Sequence, residues 1–182
     1  MEQWKAIPGY EGLYEASTLG RIRTADGKVT SNNGRLHRVW KQRIMKIHYT
    51  KRSKNGKQNA MVSLWKDGKR KEFLVGRLVA LSWCDGYKDG LTVNHIDGNT
   101  TNNNADNLEW VSLSENIIHA YKNGFNKSAR PCTLINKDGD EFHFYSMQEA
   151  SRFLGRKPGY LTIAIGHGTR IYSANGDQYG FV

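Results

Sequence analysis

The chain has little cysteine, little proline and no long apolar run. Its 182 residues include two cysteines and three prolines. Cys84 and Cys132 form no CxxC pair, which argues against a disulfide framework or a structural zinc knuckle and favours two reduced thiols. The longest apolar stretch, residues 73–83, is interrupted by Gly76 and Arg77, and the first residues lack a signal-peptide core. We therefore expect neither secretion nor a membrane span.

Acidic residues are scarce in one segment of an otherwise balanced chain. The net charge is +10, and residues 35–71 carry thirteen lysines and arginines against one acid, Asp67. The rest of the chain carries 14 basic and 16 acidic residues. A local positive excess of this kind is typical of a surface that binds a polyanion. We expect nine cations of this segment to contact nucleic-acid phosphates: Arg35, Arg38, Lys41, Arg43, Lys46, Lys51, Arg52, Lys54 and Lys57.

Turn signals and short apolar stretches predict β structure over residues 1–70. Pro-Gly and Glu-Gly pairs separate short strands between Trp4 and Arg23. Between Val39 and Leu64, aromatic and aliphatic residues alternate with lysines around a hairpin turn at Asn55-Gly56. This pattern predicts two ribbon-like strands with a basic face. A solvated edge ribbon whose lysines oppose aggregation is the alternative.

Residues 71–124 show helical and strand signals in turn. Near-helical apolar spacing predicts a core helix over residues 73–83. A short strand, an asparagine-rich loop and a second strand at residues 108–111 follow. Ser112 and Glu115 then form a capping box, which opens a helix that ends at Asn123-Gly124.

The last third of the chain predicts a linker and a small α+β module. Residues 125–132 are polar and read as the linker, and residues 133–182 as the module. Its strands lie at residues 133–135 and 141–144, and Ser146 to Glu149 form a second capping box. The next helix has Ala150, Phe153 and Leu154 inward, Gly155 breaks it, and Pro158 suits the start of another. This order fits a helix-turn-helix or a plain helical hairpin.

The most informative stretch runs from Val93 to Asn116. It places His95 at the end of a strand, Asn107 twelve residues later in a loop, and Asn116 nine residues after that on a helix. In a strand-loop-strand-helix unit these three side chains converge. An inward stripe of Leu113, Ile117 and Ala120 would turn Asn116 toward the two strands.

These residues resemble the HNH nuclease signature, and the chain as a whole is similar to the HNH homing endonucleases of phages. Residues 4–23 resemble the N-terminal Trp and Gly-Tyr-Glu-Gly motif of that family, residues 94–116 its nuclease core, and residues 145–166 its C-terminal helix-turn-helix. The resemblance implies an extended, modular α+β chain. Its parts are a β ribbon module at 1–70, a ββα-metal HNH core at 71–124, a linker at 125–132 and a helix-turn-helix module at 133–182.

The resemblance also implies roles for the signature residues. His95 takes a proton from water, Asn107 braces the loop that aims His95, and Asn94 and Asn116 hold one divalent cation, Mg or Mn. Many family members carry Asp where this chain has Asn94, and His at the third position. Amide oxygens ligate hard cations but bring no charge, so metal affinity should be low.

Two further residues of this region leave alternatives open. His119, one helical turn beyond Asn116, is either a metal ligand or a solvated helix histidine. Asp97 is either the turn residue before Gly98 or a ligand.

The expected function is therefore nicking of double-stranded DNA at a long asymmetric site by a monomer. We expect no membrane and no small-molecule partner, and a location in the cytoplasm of a bacterial host. The residues Arg156, Lys157 and Tyr160 are expected to contact DNA from the C-terminal module. A catalytically silent DNA-binding descendant of the family is the main alternative. An RNA-binding protein fits less well, because no aromatic stacking signature of the RRM kind is present.

Overall fold

Two compact units make up the chain, Met1–Asn116 and Ile117–Val182. The computed structural model describes residues 1–32, 36–51, 58–126 and 130–182. Four of the expected DNA contacts and the expected hairpin turn lie outside this description: Arg35, Arg52, Lys54, Lys57 and Asn55-Gly56. The domain bounds expected from the sequence stay a prediction.

The described residues form fourteen strands and four α-helices. The strands of the first unit are β1 (Trp4–Ala6), β2 (Tyr14–Ser17), β3 (Ile22–Thr24), β4 (Val29–Asn32), β5 (Leu36–Val39), β6 (His48–Tyr49), β7 (Ala60–Lys66), β8 (Lys69–Leu74), β9 (Thr92–His95) and β10 (Leu108–Val111). Those of the second are β11 (Cys132–Ile135), β12 (Glu141–Phe144), β13 (Ile171–Tyr172) and β14 (Gln178–Phe181). The helices are α1 (Val75–Trp83), α2 (Leu113–Lys122), α3 (Met147–Phe153) and α4 (Tyr160–Gly166). None of these helices in the described part of the chain is long and apolar enough to cross a bilayer.

Helix α1 organises the core of the first unit. The antiparallel sheets β1-β2-β3 and β6-β7-β8 and the hairpins β4-β5 and β9-β10 lie in this unit. Buried side chains of the two sheets and of β10 pack with those of α1 in one core, which includes Ile7, Tyr14, Ile22, Val62, Leu64, Val75, Leu78, Val79 and Leu108. Two hydrogen bonds join distant segments across it. The Trp65 backbone N–H donates to the Tyr14 hydroxyl at 3.0 Å, and the Trp83 indole donates to the Ala16 carbonyl at 3.0 Å. The N-terminal motif and the strand-loop-strand unit thus share one interior.

The basic ribbon predicted from Val39 to Leu64 is present only in part: β6 pairs antiparallel with β7, but the first strand is much shorter than predicted. Only two residues of β6 pair with β7, and residues 40–47 contain no strand. The backbone there follows the edge of β3, where Met45 N–H donates to the Ile22 carbonyl and Thr24 N–H to the Arg43 carbonyl. Met45 and Ile47 pack against the core. The irregular path arises because this segment supplies single side chains to the core.

The second unit packs α3 and α4 with a four-stranded sheet of order β12-β11-β14-β13. Its core contains Cys132, Leu134, Ala150, Leu154, Leu161, Ala164 and Ile171. The predicted second capping box is present in a modified form: Ser146 Oγ accepts from Glu149 N–H at 3.2 Å, and the Glu149 carboxylate accepts from the N–H of Tyr145, one residue before the cap, at 3.1 Å. The helix after it begins at Tyr160, two residues later than Pro158 suggests.

Three side chains expected to face inward are exposed. Leu113 is 67%, Ile117 47% and Phe153 46% exposed. Helix α2 contains no buried residue. The apolar period along α2 therefore does not mark a buried stripe, and the orientation of Asn116 must be taken from its own contacts. Phe153 remains in contact with the rings of Phe142 and Phe144.

Candidate active site

The predicted strand-loop-strand-helix unit is formed by β9, β10 and α2. Strands β9 and β10 pair antiparallel, with His95 opposite Leu108 and Asn94 opposite Glu109. The predicted capping box begins α2, because Glu115 N–H donates to Ser112 Oγ at 3.2 Å and Ser112 N–H donates to the Glu115 carboxylate at 2.7 Å. These hydrogen bonds lower the pKa of Glu115.

The His95 ring is half-buried and lies at a pocket of about 150 Å³. Its Nε2 lies 3.0 Å from Oδ1 of Asn103, a side chain that is 7% exposed. Gly76 and Arg77 of α1 line the same pocket. The imidazole is therefore anchored at one nitrogen and is reachable from solvent.

Asn107 holds the loop between the two strands. Its Nδ2 donates to the Asp97 carboxylate at 3.0 Å and to the Asn102 carbonyl at 2.8 Å, and its Oδ1 accepts from Asp97 N–H at 3.0 Å. The Asn107 carbonyl also accepts from Ile96 N–H, directly after His95. These contacts place Asn107 where it can fix the start of the loop, as its expected bracing role requires.

Asp97 is a turn residue in this arrangement. Its carboxylate accepts hydrogen bonds from Asn99 N–H, Asn102 Nδ2 and Asn107 Nδ2. Desolvation alone would raise the pKa of Asp97, but these three hydrogen bonds outweigh it and lower the pKa below its ordinary value. The carboxylate is used within the loop, which favours the turn alternative over the ligand alternative.

The two expected metal ligands each use their amide nitrogen in the hairpin. Asn94, 3% exposed, donates from Nδ2 to the Glu109 carboxylate at 2.7 Å, and Asn116 donates from Nδ2 to the Val93 carbonyl at 3.5 Å. Neither amide oxygen accepts a hydrogen bond from the described residues. Amide oxygens are suitable ligands for a hard divalent cation, and the Glu109 carboxylate adds negative charge beside Asn94. The donor types therefore suit a hard divalent cation.

Some expected residues are not joined directly. Within the ranges the structure describes, no hydrogen bond links His95 to Asn94 or Asn116, and no three His, Cys, Asp or Glu side chains cluster as a metal site. The His119 ring lies 5.7 Å from the Phe125 ring, centroid to centroid. Its role as an alternative ligand stays a prediction.

The expected DNA-binding cations of the first unit that the structure describes are all exposed: Arg38, Lys41, Arg43, Lys46 and Lys51. No ion pair to a described acidic residue involves any of them, whereas Arg70 is paired with Glu72 at 2.9 Å. The guanidinium of Arg38 lies 3.9 Å from the centre of the Trp40 ring. The charges of these cations are therefore not neutralised by a described acidic residue.

The three expected DNA contacts of the second unit differ in their surroundings. Lys157 is exposed. Arg156 donates to the backbone carbonyls of Tyr172 at 3.1 Å and Ser173 at 2.8 Å. The Tyr160 hydroxyl accepts from Tyr172 N–H at 3.0 Å. Arg156 and Tyr160 thus hold β13 in place, whereas the Lys157 side chain has no hydrogen bond or ion pair to the described residues.

Three residues of this region were not singled out from the sequence. Asn103 contacts His95, Glu109 contacts Asn94, and Arg77 lines the pocket. Asn103 sits within a run of three asparagines, so composition could not distinguish it from Asn102 or Asn104. The strand register alone could have indicated Glu109, because it lies directly opposite Asn94.

This arrangement is that of an HNH-type nuclease unit. It has a histidine at the end of a hairpin strand, a loop asparagine that braces the hairpin, and a further asparagine on the following helix. The comparisons with known proteins agree. The family model for an HNH endonuclease matches residues 86–117, and that for the NUMOD4 motif matches residues 2–56. The chain belongs to the HNH homing endonuclease family.

The similarity to individual relatives extends over nearly the whole chain. DNA endonuclease I-HmuI of Bacillus phage SP01 is 33% identical over 93% of this chain and 92% of its own length. An HNH endonuclease of Acanthamoeba polyphaga mimivirus, L245, is 34% identical over 88% of this chain and 43% of its own length. The solved structure titled "DNA binding and cleavage by the HNH homing endonuclease I-HmuI" matches with 30% identity and a TM-score of 0.52, covering 99% of this chain and 98% of the other.

Proposed function

We propose that this chain is a metal-dependent homing endonuclease that hydrolyses a phosphodiester in duplex DNA and first nicks one strand. The observation that carries the proposal is the half-buried His95 at a pocket on the β9-β10 hairpin, with Asn94 and Asn116 amide oxygens left for a cation. A relative that aligns over 93% of this chain and 92% of its own length is named a DNA endonuclease, and the matched structure is titled for DNA binding and cleavage.

Hydrolysis of a phosphodiester requires a base for the attacking water, stabilisation of the charge on the phosphorane, and stabilisation of the departing 3′ oxygen. His95 takes a proton from the attacking water, and the phosphorus–oxygen bond to the leaving 3′ oxygen breaks as the new one forms. Arg77, which lines the same pocket, offers positive charge for the phosphorane. A Mg or Mn ion held by Asn94 and Asn116 would act as a Lewis acid on the phosphate and leaving group.

Binding of a long asymmetric site would use both units. The exposed cations Arg38, Lys41, Arg43, Lys46 and Lys51 supply phosphate contacts. In the second unit, we assign α3 and α4 to a helix-turn-helix, with Lys157 before α4 and the exposed Thr162 and Ile163 on α4 available to DNA. We propose that the protein acts as a monomer, and because each chain has one active site, it cuts one strand per encounter.

A plasmid assay tests this function. Supercoiled plasmids carrying random-sequence inserts are incubated with the protein in Mg, Mn or EDTA, and the nicked circle is quantified. We expect nicking with Mg or Mn, none in EDTA, and none from His95→Ala, whose DNA binding by gel shift should match wild type. Arg70→Ala, which removes an ion-paired charge outside the site, is the control for a surface substitution.

The result that overturns the proposal is a wild-type protein that binds the same DNA tightly and forms no nicked circle in either metal. That outcome establishes the alternative, a silent DNA-binding member of the family in which Asn94 has replaced a needed carboxylate. The cytoplasm of a bacterial host remains the location we propose, by analogy with the phage relatives.

A further inference from the structure

We propose that Asn103 is a positioning residue that sets the tautomer of His95. We further propose that two glycines from other elements, Gly20 and Gly76, leave the space that Asn103 needs for this contact. This inference rests on the proposed base role of His95. It starts from the 3.0 Å contact between His95 Nε2 and Asn103 Oδ1.

The identity of the contacting Asn103 atom follows from its other hydrogen bond. Asn103 Nδ2 donates to the Thr101 carbonyl at 3.3 Å, which leaves Oδ1 toward the imidazole. An amide oxygen only accepts, so the ring nitrogen that faces it must carry the proton. In neutral His95 this places the proton on Nε2 and leaves Nδ1 bare, ready to take a proton from water.

Asn103 is confined on two sides. A Cβ at Gly20, in the turn between β2 and β3, would lie 2.8 Å from both the carbonyl carbon and oxygen of Asn103. A Cβ at Gly76, in the first turn of α1, would lie 2.7 Å from Asn103 Oδ1 and 3.3 Å from His95 Nε2. Only residues without a side chain allow this approach, so both glycines shape the place where the hydrogen bond forms.

The N-terminal motif supplies one side of this support. The turn that contains Gly20 also contacts the loop between β9 and β10, because Ala105 N–H donates to the Thr18 carbonyl at 2.8 Å. The first twenty residues therefore have a role in the chemistry as well as in the core. They fix the loop that carries Asn103, and through Asn103 they fix which nitrogen of His95 is the base.

Nitrogen NMR of the full-length protein, with ¹⁵N-labelled histidine rings, tests the assignment directly and without DNA. The spectra are recorded at alkaline pH, because a neutral imidazole has one protonated and one bare ring nitrogen and the two are distinguishable. His95 is identified by its absence in His95→Gln. We expect the proton on Nε2 in wild type and in Asn103→Asp, which keeps an acceptor, and a mixture of tautomers in Asn103→Ala.

Activity then follows the tautomer. We expect Asn103→Ala to lower kcat by about 10- to 100-fold with KM for plasmid DNA unchanged, and Asn103→Asp to restore most of the rate. Asn104→Ala is the matched control, because Asn104 is exposed and makes no side-chain cap hydrogen bond. Its spectrum and rate should equal those of wild type.

The glycine variants test the coupling to the N-terminal motif. Gly20 and Gly9 have φ of 78° and 79°, but a Cβ at Gly9 would meet nothing within 4 Å. Both alanine variants carry the same backbone strain, so only Gly20→Ala should shift the His95 tautomer and lower kcat. This pair keeps the test decisive even where Asn103→Ala fails to fold.

Two spectra contradict the proposal while leaving the nuclease function intact: a wild-type His95 protonated at Nδ1, or an Asn103→Ala protein with the wild-type tautomer. Failure of the proposed base role of His95 would give a different result. If the spectra follow the expectation but His95→Ala nicks DNA at the wild-type rate, tautomer control by Asn103 stands and the proposed base role of His95 fails.

Discussion

The Asn94 amide donates a 2.7 Å hydrogen bond to the carboxylate of Glu109, directly across the β9-β10 hairpin. Many family members carry Asp at the position of Asn94. In this chain the carboxylate beside that position belongs to Glu109 on the neighbouring strand. The hydrogen bond uses the Asn94 amide nitrogen, which leaves the amide oxygen as the atom that would ligate the proposed cation.

Substituting Asn94 by Asp tests this arrangement. Asn94→Asp places a second, buried carboxylate against Glu109, so we expect the free energy of unfolding without metal to fall by about 1–3 kcal/mol. Excess Mn should recover most of this loss, because a cation between two carboxylates relieves their repulsion. Thermal unfolding in EDTA and in Mn measures both effects.

The double variant Asn94→Asp with Glu109→Gln is the control for that experiment. It removes the repulsion and should be as stable as wild type in EDTA. Equal instability of the single and double variants would show that repulsion by Glu109 is not the cause.

The salt dependence of DNA binding tests the exposed cations of the first unit. Each phosphate contact contributes about −0.9 to the slope of log K against log salt concentration. A triple variant, Lys41→Ala, Arg43→Ala and Lys46→Ala, should therefore make the slope shallower by up to about 2.7 if all three are engaged. Fluorescence anisotropy over a salt series measures the slope. Arg70→Ala, in which an ion-paired cation is lost, should change it little, and an unchanged slope in the triple variant would remove this surface from the binding site.

Arg156 and Lys157 should separate stability from binding in the second unit. Arg156→Ala removes two hydrogen bonds to the carbonyls of Tyr172 and Ser173, so we expect a loss of about 1 kcal/mol in the free energy of unfolding, since the side chain is exposed. Lys157→Ala should keep wild-type stability and weaken DNA binding. Urea unfolding measures the stability of both variants, and fluorescence anisotropy measures their DNA binding. A Lys157→Ala protein that loses stability and an Arg156→Ala protein that keeps it would be incompatible with these contacts.

The pH dependence of stability should report on Asp97. Its pKa is lowered in the folded protein, so the stabilisation it provides is fully present above the unfolded pKa of about 3.9 and is lost as the pH falls through the folded pKa. The stability difference between wild type and Asp97→Asn should therefore shrink as the pH falls below about 4. Asp26→Asn, at an exposed carboxylate, controls for the loss of one charge. A difference that grows on acidification would have the wrong sign for a hydrogen-bonded carboxylate.

Local sequence signals predicted much of the fold correctly. Both capping boxes, the helix after residue 73, the β9-β10 hairpin and the strands around Gly139 are present. Each depends on residues within a few positions of one another, where turn chemistry and side-chain period act directly.

Features set by distant contacts were not predictable in this way. Residues 40–47 follow β3 because the core takes Met45 and Ile47, and Arg156 bonds to carbonyls sixteen and seventeen residues away. Within the site, the sequence indicated His95 and Asn107. It could not choose Asn103 from three consecutive asparagines, since the choice depends on Gly20 and Gly76 from other elements.

Chemical rescue of the base is the most direct test of the central claim. The cleavage rate of bound DNA is measured for His95→Gly with and without added imidazole. We predict a loss of about 100-fold or more relative to wild type and a partial return of rate that rises with imidazole concentration. A His95→Gly protein that cleaves DNA at the wild-type rate without imidazole would contradict the account.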